Sequence, residues 1–356
     1  MAFHDAGTYP VAHVHTGSRQ MTRRADEPAT IRDVARELGI SVATVSRALS
    51  RPELLRRETR ERVLAAVEAL GYRPNLLARG LRRGRTHAIL AIVPNLSPFF
   101  LEILAGLEEV ARDAGFAVLL GSSGGDRKRE EACFDQVANV RADGVVLMTG
   151  SAPASYARGL RQLPPLVAVL EKLPGHRVPV IRTDHRIGAM TATRHLIELG
   201  HRRIAHIAGV PIPSTAQRLR GYREALAAAQ LPDDARLVQT GNFTMPSGAT
   251  AMQALLDLDS PPTAVLCGND EMAFGAVQAL HRRGLAVPRD VSIVGFDDLN
   301  MAAFYNPPLT TVRIPRHEIG RRAAAELIEL LAGREVTREA VLPTRLVIRE
   351  STAPPP

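Results

Sequence analysis

The sequence predicts an α/β protein: a short all-helical head, then a larger body of two lobes, each built on its own parallel sheet. Three observations carry that prediction. Positive charge is concentrated near the N-terminus, where residues 21–87 hold 15 Arg, no Lys and 8 acidic residues, a net of +7. The same stretch reads as short helices punctuated by glycines. From Ala88 onward, apolar runs alternate with amphipathic helices, the signature of βα units and parallel sheets. Residues 88–356 hold 29 basic and 28 acidic residues, so the body is nearly neutral.

In chain order, residues 1–28 are polar and without periodicity and read as a disordered leader, with Met21 as an alternative start. Thr30 is placed to cap a helix over Ile31–Leu38, with Asp33 three residues on. Gly39 ends that helix in the left-handed conformation that costs glycine little. Ser41 caps a second helix, Val42–Leu49. Val34, Ala35, Leu38, Ile40, Val45 and Leu49 then share one apolar face, and two short helices joined by a glycine-containing turn make a helix-turn-helix. A third helix is expected over Glu58–Leu70, with Val63, Leu64, Val67 and Leu70 at helical spacing and Gly71 as its stop. Residues 29–73 form this head, and 74–86 a linker with a marginal helix over Asn75–Arg83.

The body spans 87–350. Strands are expected at Ala88–Val93, Ala117–Leu120, Gly144–Met148, Leu166–Leu170, Val178–Arg182, Ile204–Ala208, Ala264–Cys267 and Ser292–Phe296. Helices are expected at Phe99–Ala114, Arg127–Val140, Ile187–Leu199, Gln217–Ala229, Ser247–Leu256, Asp270–Arg283 and Glu318–Leu331. In such folds ligands bind beyond the carboxyl ends of the strands. Residues 351–356 read as a Pro-rich tail without heptads.

Composition excludes several classes. Of 356 residues, 45% are hydrophobic and 23% charged, a globular balance that argues against wholesale disorder. No apolar stretch approaches the roughly 20 residues of a membrane helix. The first twenty residues lack the apolar core of a secretory signal. Two cysteines, Cys133 and Cys267, cannot build a disulfide framework or a Cys-rich metal site, and they fit a reducing cytoplasm. No H-E-x-x-H motif is present, so neither a metal nor another cofactor is expected. A local basic block, by contrast, is the electrostatic footprint of a polyanion.

Ordered motifs then identify a relative. Thr30-Ile-Arg-Asp-Val-Ala, Ser41-Val-Ala-Thr-Val-Ser-Arg-Ala-Leu, Thr59-Arg-Glu-Arg-Val and Gly71-Tyr-Arg-Pro-Asn resemble the lactose/galactose repressor family. So do Val93-Pro-Asn-Leu-Ser-Pro-Phe-Phe, Gly200-His-Arg-Arg-Ile, Arg218-Leu-Arg-Gly-Tyr, Pro262-Thr-Ala-Val-Leu-Cys-Gly-Asn-Asp, Val294-Gly-Phe-Asp and Pro308-Leu-Thr-Thr. The resemblance covers about residues 30–352, and from Gly241 through Pro308 it is most similar to the cytidine repressor branch. It implies a homodimeric repressor that binds a palindromic operator. It also implies a periplasmic-binding-protein-like body controlled by a small sugar or nucleoside. One departure stands out: the family usually caps the third helix with Ser, where this chain has Arg56, which cannot accept from helix N–H groups.

The second helix of a helix-turn-helix enters the major groove. Val42 and Ala43 suit thymine methyls, although Val42 also suits the core of the head. Arg47 can fork to guanine O6 and N7 or meet a phosphate. Thr44 and Ser46 suit phosphates. With Thr30 and Ser41 these residues make the DNA-contact set of the head. By resemblance, Asn75, Ala78, Leu81 and Arg82 belong to a hinge helix that forms on DNA, with Leu81 wedging into the minor groove. In the body, Phe99 and Phe100 follow the first strand, where they stack on a ligand ring or fill core. Arg218 and Asp297 resemble the family's ligand-binding arginine and aspartate, and an Arg with a carboxylate suits a polyhydroxylated ligand. Phe243 and Asn269 complete the expected effector set, with Asp184 as a further contact.

Rival readings remain at this level. Gly121-Ser122-Ser123-Gly124-Gly125 matches G-x-S-x-G between a strand and a helix, and Asp297 and His317 follow in hydrolase order, so a serine hydrolase using Ser123 is one alternative. A solute-binding protein of periplasmic type is another, since residues 88–350 alone would fit it. A third is a regulator whose effector is a partner protein.

Overall fold

A computed structural model describes residues 29–50, 54–72, 86–140, 142–151, 164–173, 175 and 177–356. The leader and the hinge residues Asn75, Ala78, Leu81 and Arg82 lie outside these. The chain separates into two compact units, 1–79 and 80–356.

The head holds α1 (Ile31–Leu38), α2 (Val42–Ser50) and α3 (Arg57–Ala69). The Thr30 N–H donates to Asp33 Oδ2 at 2.9 Å, so a side chain satisfies a donor ahead of α1. Gly39, at φ 64°, ends the helix, and Ser41 Oγ accepts from the Thr44 N–H at 3.1 Å to start α2. Val34, Ala35, Val45, Ala48, Val63 and Ala66 form the buried core. Leu64, by contrast, is 43% exposed. Val63, Ala66, Val67 and Leu70 make the inward i, i+3, i+4, i+7 row, and Leu64 falls beside it. Arg56 stands at the N-cap of α3 without a side-chain cap bond.

The body is two sheets. Among the described residues, the first runs β11 (Glu339–Leu342), β5 (Val180–Thr183), β4 (Leu166–Val169), β3 (Gly144–Leu147), β1 (Ala88–Val93), β2 (Ala117–Ser122). All its pairings are parallel. The second runs β12 (Arg345–Val347), β10 (Thr310–Arg313), β9 (Ser292–Asp297), β8 (Ala264–Cys267), β6 (Ile204–Ala208), β7 (Val238–Thr240). Only β12 pairs antiparallel. The central strands β1, β6 and β9 are buried along their whole length, as strands covered on both faces must be.

The helices are α4 (Pro98–Asp113), α5 (Arg127–Val140), α6 (His185–Glu198), α7 (Pro213–Ala228), α8 (Met245–Leu256), α9 (Asp270–Arg282) and α10 (Arg316–Leu331). Six of them pack in pairs, α4 on α10, α6 on α7 and α8 on α9, while α5 packs on β1 and β2. The α4–α10 pair is close because a Cβ at Gly106 or Gly320 would collide with the facing carbonyl of His317 or Ile103. Among the described residues the chain passes between lobes three times: from β5 into α6, from β10 into α10, and from β11 to β12. At the second crossing, the buried Asp298 carboxylate accepts from Arg313 at 2.5 Å and Arg349 at 2.7 Å.

Strands β7, β10, β11 and β12 were not expected from the sequence. Strand β10 begins Thr310-Thr311, which breaks any apolar run. Both residues are nonetheless fully buried, because their hydroxyls are satisfied internally. Thr311 Oγ1 donates to Asp270 Oδ1 at 2.5 Å, and Thr310 Oγ1 accepts from the Arg349 N–H at 2.9 Å. The body also continues past residue 350. Ser351 is fully buried, donating to the Ile293 carbonyl at 2.6 Å and accepting from the Thr310 N–H at 2.8 Å. His201 Nε2 lies 2.9 Å from the Ala353 carbonyl. The expected tail is thus seated against the second lobe at Ser351 and Ala353.

Candidate functional site

Nine parallel strands, β1 through β9, deliver the segments after their carboxyl ends to one cavity of about 700 Å³, a size that suits a small organic ligand. Asn95, Phe99 and Phe100 come from the segment after β1, Thr149 from that after β3, Glu171 from that after β4 and His185 from that after β5. The second lobe contributes Ser214 and Arg218 after β6, Phe243 after β7, Asn269 and Glu271 after β8, and Asp297 at the end of β9. All six residues expected to bind effector, Phe99, Phe100, Arg218, Phe243, Asn269 and Asp297, therefore line one cavity.

Arg218 is its electrostatic centre. The side chain is buried, with its guanidinium carbon 4.0 Å above the Phe296 ring. Nη1 donates to the Gly268 carbonyl, and Nε and Nη2 lie 3.4 and 3.3 Å from His185 Nδ1. Nη2 is 3.7 Å from Asp297 Oδ1. Since Nδ1 faces N–H donors, His185 carries its proton on Nε2, toward Thr183 Oγ1 at 3.4 Å. Burial, then the charges of Arg218 and Arg182, hold that imidazole well below its ordinary range, so it is neutral.

Asp297 is buried at φ 112°, a backbone conformation that costs a non-glycine residue roughly 1–3 kcal/mol. Two other lining residues, Leu170 at φ 70° and Phe243 at φ 66°, share that left-handed region. Burial pushes the Asp297 carboxyl up to about 7, although Arg218 and Arg316 pull it down. Its Oδ1 has no hydrogen-bond partner, and neither does the buried Thr149 Oγ1. Buried polar atoms are almost always paired, so these two vacant positions on the wall are the atoms a ligand would satisfy. Glu171 Oε1 accepts from the Ser214 N–H at 3.0 Å, and burial raises its pKa.

The remaining expected residues divide into rings and braces. Phe99 and Phe100 meet edge to face, with centroids 5.1 Å apart, and both also pack on the core. The Phe243 ring lies against the backbone of Gly209, where a Cβ would collide with it. Asn269 caps α9 through the Met272 N–H at 2.9 Å and donates to the Phe243 carbonyl at 3.1 Å, so it holds the aromatic loop as well as the wall. Asp184 is corrected. Its Oδ1 accepts from the Ile187 N–H at 2.9 Å to cap α6, and its neighbour His185 reaches the cavity instead. Asn95, Thr149, Glu171, His185, Ser214 and Glu271 also line the cavity, and none of them was expected from the sequence. The signal available was position alone, just past the end of a strand.

The hydrolase constellation is not assembled. Ser123 Oγ lies buried, 3.5 Å from the Val93 carbonyl and 3.3 Å from the Gly125 N–H. His317 Nε2 is 3.3 Å from Glu109, and Asp297 lies beside Arg218. The three side chains thus have three separate sets of neighbours. No cluster of three or more His, Cys, Asp or Glu suited to a metal occurs among the described residues, and Cys133 and Cys267 are free thiols.

On the head, Ala43, Ser46 and Arg47 are exposed along α2. Val42 is half-buried against the core. Ser41 Oγ and Thr44 Oγ1 are 2.9 Å apart and share the start of the helix. The Thr30 hydroxyl donates to Asp33 Oδ2 at 2.6 Å.

Comparisons with known proteins agree with this division. Residues 30–75 match the model for bacterial regulatory proteins of the lacI family, and residues 193–352 match a periplasmic binding protein-like domain. The HTH-type transcriptional repressor CytR of Escherichia coli strain K12 is 39% identical over 334 residues, 93% of this chain and 98% of that protein. The HTH-type transcriptional regulator GalR of Salmonella typhimurium strain LT2 is 38% identical over 332 residues, covering 92% and 97%. Among solved structures, the lac repressor dimer bound to operator and the anti-inducer ONPF aligns with a TM-score of 0.82 at 28% identity, covering 92% of this chain and all of that one. The transcriptional regulator CelR in complex with cellobiose aligns at 0.69 with 33% identity, covering 91% and 99%. The chain thus belongs to the lacI family of bacterial regulatory proteins and is a transcriptional regulator with a helix-turn-helix head and a two-lobed, periplasmic-binding-protein-like body.

Proposed function

We propose that the chain is a non-catalytic cytoplasmic repressor that binds a palindromic operator as a homodimer and is controlled by a sugar or nucleoside held in the cavity of the body. The observation that carries the reading is the convergence of Phe99, Phe100, Arg218, Phe243, Asn269 and Asp297 on one cavity whose buried Asp297 Oδ1 lacks a hydrogen-bond partner. The relatives support the same division of labour, since one solved neighbour holds operator DNA and another holds cellobiose.

In this reading the exposed face of α2 enters the major groove. Ala43 and the outer surface of Val42 meet thymine methyls, Arg47 forks to a guanine, and Thr44 and Ser46 meet phosphates. Thr30 and Ser41 anchor the same face to the backbone. Asn75, Ala78, Leu81 and Arg82 form the hinge contact, with Leu81 as the minor-groove wedge. The effector touches both lobes and changes their angle across the three crossings, and its differential affinity for the two arrangements sets the change in operator affinity.

Selection of duplex DNA from a random pool tests the first half, with an enriched palindrome as the expected result and no enrichment as the contrary one. A thermal-shift screen of the full chain with sugars and nucleosides tests the second, because a bound ligand raises apparent stability by mass action. Leu81→Ala is expected to weaken operator binding far more than Arg23→Ala in gel shifts. Equal losses contradict the hinge role.

A further inference from the structure

The cavity is acidic, and its one guanidinium is already engaged. Among its described lining residues three carboxylates, Glu171, Glu271 and Asp297, face a single guanidinium, Arg218, and no lysine. That guanidinium is already engaged by the Gly268 carbonyl and by His185 Nδ1, with Asp297 close by. His185 itself meets the cation as a neutral acceptor and adds no positive charge.

The helix starts around the cavity offer little to an oxyanion either. A free helix N-terminus is a ready anion site because its first N–H groups lack partners. Here the chain places one of its own oxygens on an N–H at the start of each of four helices. Glu171 Oε1 takes the Ser214 N–H of α7, and Asp184 Oδ1 takes the Ile187 N–H of α6. Asn269 Oδ1 takes the Met272 N–H of α9, and Thr244 Oγ1 lies 3.4 Å from the Ser247 N–H of α8. Helix α4 opens with Pro98, which has no N–H to give. What the wall leaves vacant is an acceptor, Asp297 Oδ1, and a hydroxyl, Thr149 Oγ1.

We infer that this cavity selects an uncharged, hydroxyl-bearing ligand and rejects the phosphorylated form of the same ligand, with Glu171 and Asp297 as the specificity-determining acceptors. The inference rests on the proposed effector reading of the cavity. A ligand hydroxyl donates to Asp297 Oδ1 and is welcomed there. A phosphate offers further acceptors, adds like charge beside two carboxylates, and finds the one guanidinium on the wall already engaged by Gly268 and His185. Discrimination therefore comes from repulsion as much as from attraction.

Calorimetric titration of the full chain with matched pairs tests this: ribose and ribose 5-phosphate, glucose and glucose 6-phosphate, cytidine and cytidine 5′-monophosphate, adenosine and adenosine 5′-monophosphate. The expected result is that at least one uncharged member binds and its phosphorylated partner binds at least about 100-fold more weakly. A phosphorylated member that binds as tightly as its uncharged partner, or more tightly, overturns the inference while leaving the effector cavity standing. Binding by no member of any pair overturns both. For the pair that binds, Glu171→Gln, which keeps the acceptor for Ser214 and loses the charge, is expected to narrow the gap at least about threefold, with thermal melting confirming a folded chain. An unchanged gap removes Glu171 from the specificity set.

Discussion

The head presents its proposed DNA-contact residues to water, with Ala43, Ser46 and Arg47 exposed within a single short helix, whereas the body buries its proposed effector contacts, gathering Glu171, Arg218 and Asp297 from segments far apart in sequence. The difference follows from what each region meets. A face that reads a rigid polyanion is satisfied by water until its partner arrives, so one helix with long side chains suffices. A site that surrounds a small molecule must exclude water, so each polar atom needs a partner inside the protein or on the ligand. That is why the cavity is braced by Gly268, His185 and Ser214, why it keeps three non-glycine lining residues at positive φ, and why two of its atoms lack a hydrogen-bond partner.

The comparison can be tested from each side. The largest effect is expected in the cavity. Arg218→Gln removes a buried charge with several partners and should weaken effector binding by about 100-fold, on the order of 3 kcal/mol, in calorimetry. Operator binding without effector should be retained. Next, Arg47→Ala should weaken operator binding by about 1–3 kcal/mol and relax specificity at one base pair, with the effector midpoint unchanged. A shift of that midpoint would mean the exposed face is not independent of the cavity.

A smaller effect concerns pH. Asp297 titrates at about 7, with Arg218, Arg316 and Glu271 as the charges that act on it. A ligand hydroxyl donating to Oδ1 binds the carboxylate form better, so affinity should rise as the proton leaves. Between pH 6 and pH 8 the rise should be about tenfold, with a plateau above. Asp297→Asn should flatten the profile. The smallest effect lies back on the head. Arg56→Ser supplies the missing cap of α3 and should stabilise that helix by about 0.5–1 kcal/mol, read as two- to fivefold slower hydrogen exchange of its amides.

Much of this molecule was legible in its sequence. Helix α1 and strands β1, β6 and β8 have the residues expected for them, because apolar periodicity and glycine stops are local signals. The edge strands β7, β11 and β12 were not, since short and half-exposed strands carry no apolar run. Strand β10 was hidden for another reason: its buried threonines are paid for by Asp270 and the Arg349 backbone, partners that no local window contains. The site divides similarly. Arg218 and Asp297 sit in recognisable motifs. Glu171 and His185 do not, because what makes them part of the site is the cavity that nine strand ends enclose. Asp184 shows the limit: one residue away from the wall, the same residue type serves as a helix cap.

The central claim is that the cavity and the operator-reading head are linked. The most direct test is the operator affinity of the full chain, by fluorescence anisotropy, with and without a saturating uncharged ligand identified in the titrations. A change of at least about fivefold is expected in the wild type, the lower end of common allosteric coupling, with none in Arg218→Gln at the same ligand concentration. An operator affinity that ligand leaves unchanged in the wild type, or changes equally in both proteins, would contradict it.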